Sequence, residues 1–172
     1  MGEKPFMRTR TVIAVVGAGR CDADTARVAE AVGRELGRRG ITLVCGGLGG
    51  VMEAACRGAR QAGGHTIGIL PGDDPRAANA YVEFAIPTGL GEARNLIVVR
   101  CGQAVIAVAG EYGTLSEIAL ALKIGRPVIG LNTWQLVKDG REDRAIIPAH
   151  SPEEAVELAL RAIETNHLKG FV

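Results

Sequence analysis

The chain has 172 residues, enough for one domain with a sizeable core, and it is 47% hydrophobic but only 3% aromatic. The core must therefore be built from Ala, Val, Ile and Leu. The net charge is +1 with no basic block beyond residues 4–10, which reads as a solvated N-terminal arm; nucleic acid and anionic membranes are not expected partners.

No apolar run nears the roughly 18 residues of a membrane span, and the start lacks the apolar core of a secretory signal, so a cytoplasmic protein is expected. Cys21, Cys45, Cys56 and Cys101 are widely spaced, without C-x-x-C or zinc-type Cys/His spacing. They read as buried free thiols of a reducing compartment. His65, His150 and His167 are scattered, and no metal site is expected from them.

Residues 11–16 form a short, β-branched apolar run ending in Gly17-Ala-Gly19, as a strand buried on both faces reads. A helix follows, capped by Asp22 or Asp24, with Val28, Val32 and Leu36 on one face and a stop at Gly40. The unit then repeats: a strand over 41–45, the turn Gly46-Gly47-Leu48-Gly49-Gly50, and a helix over 51–62. A third strand covers 66–70, followed by a surface loop over 73–80 and an extended segment over 81–86. Next come a helix over 92–100, a strand over 104–109, a glycine turn, a helix over 114–124 and a buried-type strand over 127–131. The stretch 132–150 carries no clear signal, and its Trp134 reads as a packing anchor. Ser151-Pro-Glu-Glu154 opens a last helix, running to about residue 164, with a cap serine, a first-turn proline and a glutamate three residues on.

Strands alternating with helices give an α/β fold: a doubly wound, Rossmann-like parallel sheet with helices on both faces, as one domain over 1–172 with an arm at 1–10. Right-handed crossovers place the turns after residues 16, 45 and 109 on one edge, where such sheets bind ligands. The four glycines of 46–50 are the strongest phosphate-site signal, since bare amides at a helix start favour an anion; a tight packing turn is the alternative. Gly17 and Gly19 complete the floor, although Asp22 stands where a G-x-G-x-x-G motif needs its third glycine. Gly110, Gly113 and Thr114 form a third turn. Thr114 and Glu117 have capping-box spacing, so Glu117 reads equally as a structural cap or a functional carboxylate. In either role the helix dipole is expected to keep it ionised, which suits a charge stabiliser better than an acid.

Together these pieces resemble the lonely-guy (lysine-decarboxylase-like) family, over nearly the whole chain up to about residue 131. The family's P-G-G-x-G-T-x-x-E appears as Ala109-Gly-Glu-Tyr-Gly-Thr-Leu-Ser-Glu117, its other glycine turn resembles residues 46–53, and its arginine-lysine motif corresponds to Arg94-Asn95. The resemblance implies catalytic roles for Arg94 and Glu117 in cutting the N-glycosidic bond of a nucleoside 5′-monophosphate. Base and ribose 5-phosphate would be released through an oxocarbenium-like transition state. No lysine is placed for a pyridoxal Schiff base.

Three departures stand out: Ala109 for proline, Glu111 for the second glycine, and Asn95 for lysine. With them the chain looks more like a short branch that includes nucleotide-binding Rossmann proteins and molybdenum-cofactor carriers, whose pterin cargo also ends in a phosphate. Two readings stay open: a phosphoribohydrolase, or a non-catalytic carrier or binding protein for a phosphorylated small molecule. No cofactor is required in either; molybdenum cofactor would be bound cargo. The apolar helix around Leu96-Ile-Val-Val99, with the resemblance, implies a homodimer; a core helix in a monomer is the alternative.

Overall fold

The computed structural model describes residues 10–168; the expected arm lies outside the described residues except for Arg10. In chain order the elements are β1 (Val12–Gly17), α1 (Ala23–Arg38), β2 (Thr42–Cys45), α2 (Val51–Gln61), β3 (Thr66–Leu70) and β4 (Phe84–Pro87). A 3-10 turn (Gly91–Arg94) leads into α3 (Asn95–Cys101), followed by β5 (Ala104–Val108), α4 (Tyr112–Lys123) and β6 (Val128–Leu131). A small antiparallel hairpin, β7 (Leu136–Lys138) and β8 (Arg141–Asp143), precedes β9 (Ile146–Pro148) and α5 (Pro152–Leu168).

Seven strands form one parallel sheet in the order β4-β3-β2-β1-β5-β6-β9. Central strands are apolar on both faces because each face is covered. Ile13, Val15, Leu43, Cys45, Ile106 and Ile129 pack with α1, α2 and α5. Ala14, Val16, Val44, Val105, Ala107 and Val128 pack with α3 and α4. The period-2 alternation of a strand thus feeds two cores from one continuous apolar run. The expected Rossmann-like sheet is the observed one.

Local chemistry sets the helix starts. The Asp22 side chain accepts from the Thr25 amide at 2.7 Å, which makes Asp22 rather than Asp24 the cap of α1. At α5, Ser151 Oγ accepts from the Glu154 amide at 3.1 Å, and the Glu154 carboxylate accepts from the His150 amide at 2.7 Å. Between α1 and α2 the backbones nearly touch: a Cβ on Gly33 would lie 2.7 Å from the Ala55 carbonyl carbon, and one on Gly58 2.8 Å from that of Glu30.

The structure adds to or corrects the sequence reading at four places. The helix expected over 92–100 is a 3-10 turn that becomes α-helical only at Asn95. The unassigned stretch 132–150 holds the hairpin and the seventh sheet strand, seated where Gly130 leaves room for Ile146. The α3 helix buries Val98 and Val99, while Leu96 and Ile97 pack on the same core cluster but stay half-buried. Finally, all four cysteines are free, but only Cys45 and Cys56 are buried, and Cys101 is exposed.

Candidate functional site

Strand order reverses at β1, with β2 to β4 on one side and β5, β6 and β9 on the other. Chains leaving β1 and β5 at their carboxyl ends therefore diverge to opposite faces, which opens a crevice. A cavity of about 250 Å³ occupies it, lined by residues that follow β1, β2 and β5 and by the turn before α3.

Arg94 forms one wall. It is only 8% exposed, its Nε has no hydrogen-bond partner, and no ion pair or side-chain hydrogen bond engages it among the described residues. Its guanidinium lies against the backbone of Gly46: a Cβ there would sit 2.6 Å from Nη2 and 2.7 Å from Cζ. An arginine buried without a hydrogen-bonded ion pair is costly, and the Glu117 carboxyl is close enough to feel its charge.

Glu117 stands on the second turn of α4 and is 7% exposed. Burial pushes its carboxyl up to about 7; Arg94 pulls the other way and Glu92 adds to the rise. This overturns the expectation that the helix dipole keeps it ionised: it lies too far into α4, and desolvation wins. The capping-box reading fails too. Glu111 is the N-cap residue, Thr114 is already helical and 2% exposed, and no cap hydrogen bond forms.

Among the other expected site residues, Gly17, Gly19, Gly46, Gly113 and Thr114 line the cavity, while Gly47, Gly49, Gly50 and Gly110 do not. Most of these glycines answer to packing. A Cβ on Gly17 would meet Val51 Cβ at 2.7 Å, one on Gly47 the Leu70 side chain at 2.7 Å, and one on Gly110 the Thr114 Cβ at 2.5 Å. Gly50 has φ +62° and abuts Gly19. Of these expected site glycines, only Gly19 and Gly113 combine an ordinary φ with open space above the Cα. The amides of Gly19, and of Tyr112 to Thr114 at the start of α4, find no backbone acceptor among the described residues. Sequence reasoning passed over Leu48, Met52, Glu92 and Asn95, which also line the cavity. Asn95 was visible beside Arg94; the others carry no signal of their own.

With this geometry in place, residues 10–156 match the SLOG cluster4 family. The chain belongs to that family. It is 42% identical over 148 residues to an uncharacterised protein of Archaeoglobus fulgidus, covering 86% of this chain and 93% of that one. Among solved structures it is similar to the molybdenum cofactor binding protein of Rippkaea orientalis, at 37% identity and a TM-score of 0.82, with 91% of this chain and 99% of that one covered. A cytokinin riboside 5′-monophosphate phosphoribohydrolase of rice is 36% identical over 91 residues, which is 51% of this chain but only 37% of the rice protein.

In this SLOG chain, the departures from the lonely-guy motif have structural content. Ala109, where that motif has proline, adopts φ +47°, a value closed to proline. Glu111 lines the cavity as the N-cap residue of α4, but its carboxylate makes no cap hydrogen bond and leaves the first amides of the helix free.

Proposed function

We propose that the cleft at the switch point binds a phosphorylated small molecule, in first place a nucleoside 5′-monophosphate, and cleaves its N-glycosidic bond. The observation that carries this reading is the buried, unpartnered Arg94 in the Gly46 slot beside a buried Glu117. Gly19, Gly113 and the free amides opening α4 would take the phosphate, because neither backbone angle nor packing explains those two glycines. As base leaves with the bonding electron pair, positive charge grows on the ribose; ionised Glu117 would stabilise it while water adds to the anomeric carbon, losing one proton as the departing base gains one. Arg94 would hold the sugar oxygens or the departing base.

Release of free base from AMP, GMP, CMP and UMP tests the reading. Wild-type chain is expected to release base, with a rate that rises through pH 7 as Glu117 ionises. No release above that of Glu117→Gln would sink catalysis.

A second reading, carriage of molybdenum cofactor as cargo, is favoured by the near full-length similarity to the Rippkaea protein, where the rice enzyme matches only half of this chain. It predicts a pterin on the freshly purified chain in native mass spectrometry. In either case we expect a homodimer by light scattering, with edge strand β4, whose Phe84 and Ile86 are exposed, as the face to cover.

A further inference from the structure

The cleft is small for a whole ligand: about 250 Å³ lies below the roughly 300–1,000 Å³ usual for small-molecule sites. A larger cavity, about 520 Å³, lies beside it between the carboxyl ends of β6 and β9 and the β7–β8 hairpin, lined in part by Asn132, Trp134 and His150. No residue lines both, but the two are joined through Glu111 and Trp134, with Tyr112 on the surface between them in sequence and contact. Glu111 lines the cleft, and its carbonyl oxygen accepts a hydrogen bond from the Trp134 indole at 3.3 Å. The next residue, Tyr112, packs on Trp134 with ring centroids 5.6 Å apart and planes tilted by 40°. Tyr112 is nevertheless 80% exposed, the most open large hydrophobic side chain among the described residues.

We infer that Tyr112 and Trp134 form an aromatic shelf that takes the planar heteroaromatic ring of the ligand whose phosphate and sugar fill the cleft. This rests on the proposed function, since it extends the same site. The indole is held by its hydrogen bond, so stacking costs less of its rotamer entropy than that of a free side chain. Stacking on aromatic side chains tolerates different bases, because every base has a π-face. Asn132 and His150 line the same cavity as Trp134, so they are the polar groups that would discriminate between rings.

Trp134 is the single tryptophan of the chain, so its fluorescence reports on the shelf alone. Wild-type protein is titrated with AMP, GMP and ribose 5-phosphate, read within seconds of mixing, with calorimetry alongside. The expected result is quenching by AMP or GMP but not by ribose 5-phosphate, although all three bind. In Tyr112→Ala, nucleotide affinity is expected to fall about tenfold while ribose 5-phosphate affinity is unchanged; Tyr112→Phe should restore it. Nucleotide and ribose 5-phosphate binding equally, without quenching and without loss in Tyr112→Ala, would overturn the shelf and leave the phosphate site standing. Absence of binding by all three would overturn the phosphate site itself, and the shelf with it. A change in oligomeric state in Tyr112→Ala, with ligand affinity intact, would assign the exposed ring to a second copy of the chain and likewise overturn the inference.

Discussion

Burial raises the Glu117 carboxyl from its ordinary value of 4.5 to about 7, so between those values the folded chain holds a proton that the unfolded chain has released. Folding stability is therefore full below about pH 4.5, falls as pH rises through that window, and levels off above 7. The loss is about 3 kcal/mol at pH 8, an order-of-magnitude figure that is a large share of a typical domain's stability. Glu117→Gln keeps the shape and removes the charge. It should flatten the decline and make the variant more stable than wild type at pH 8, by up to about 3 kcal/mol, while base release is lost. Urea unfolding of both proteins at pH 4.5, 6 and 8 reads the effect; parallel pH profiles for the two would show that the carboxyl titrates normally. A residue that costs stability at neutral pH yet occupies the cleft is more simply explained by function than by packing.

Between elements, the glycines separate into two kinds that make opposite predictions. Gly33 and Gly58 let α1 and α2 approach backbone to backbone, so Gly58→Ala forces the helices apart and should cost roughly 1–3 kcal/mol, seen as a lower urea midpoint at unchanged slope. Gly19 and Gly113 face open space, so Gly19→Ala should leave stability nearly unchanged and Gly113→Ala, within the first turn of α4, should raise it slightly. Both should weaken nucleotide binding. Stability losses like that of Gly58→Ala would make them packing glycines too. This distinction was not legible in the sequence. The strands were, because a strand buried on both faces writes a continuous apolar run, and so was the shared edge of the three turns. But a glycine's purpose depends on what lies opposite: Gly46 makes room for Arg94, 48 positions away, and Gly17 for Val51. Strand β9 escaped for another reason. It has three residues and ends in a proline, and only its partner β6, with the room left at Gly130, makes it a strand.

For the molecule as a whole, the sheet supplies rigid strands up to the crevice, and the crevice is where stability has been given up. Arg94 is buried with no hydrogen-bond partner at Nε, and Glu117 is buried with its carboxyl pushed up to about 7, in a protein whose other buried residues, among those described, are uncharged. A ligand that brings a phosphate and sugar oxygens would supply what these groups lack, so binding and folding should be coupled through them. Arg94→Met tests this at the level of the fold: the apolar stem is kept and the unpartnered cation removed. In the absence of ligand, at about pH 5 where Glu117 is protonated, the variant should melt at or above the wild-type temperature, because no hydrogen bond or ion pair is lost. With AMP at about a hundred times its dissociation constant, wild type should gain about 2.7 kcal/mol, a rise of roughly 5–10 °C for a chain of this size. The variant should gain little. A wild-type shift that survives Arg94→Met would place the ligand elsewhere. A variant that melts far below wild type without ligand would mean that Arg94 holds the fold rather than the ligand, and that the Gly46 slot exists for the arginine's own packing.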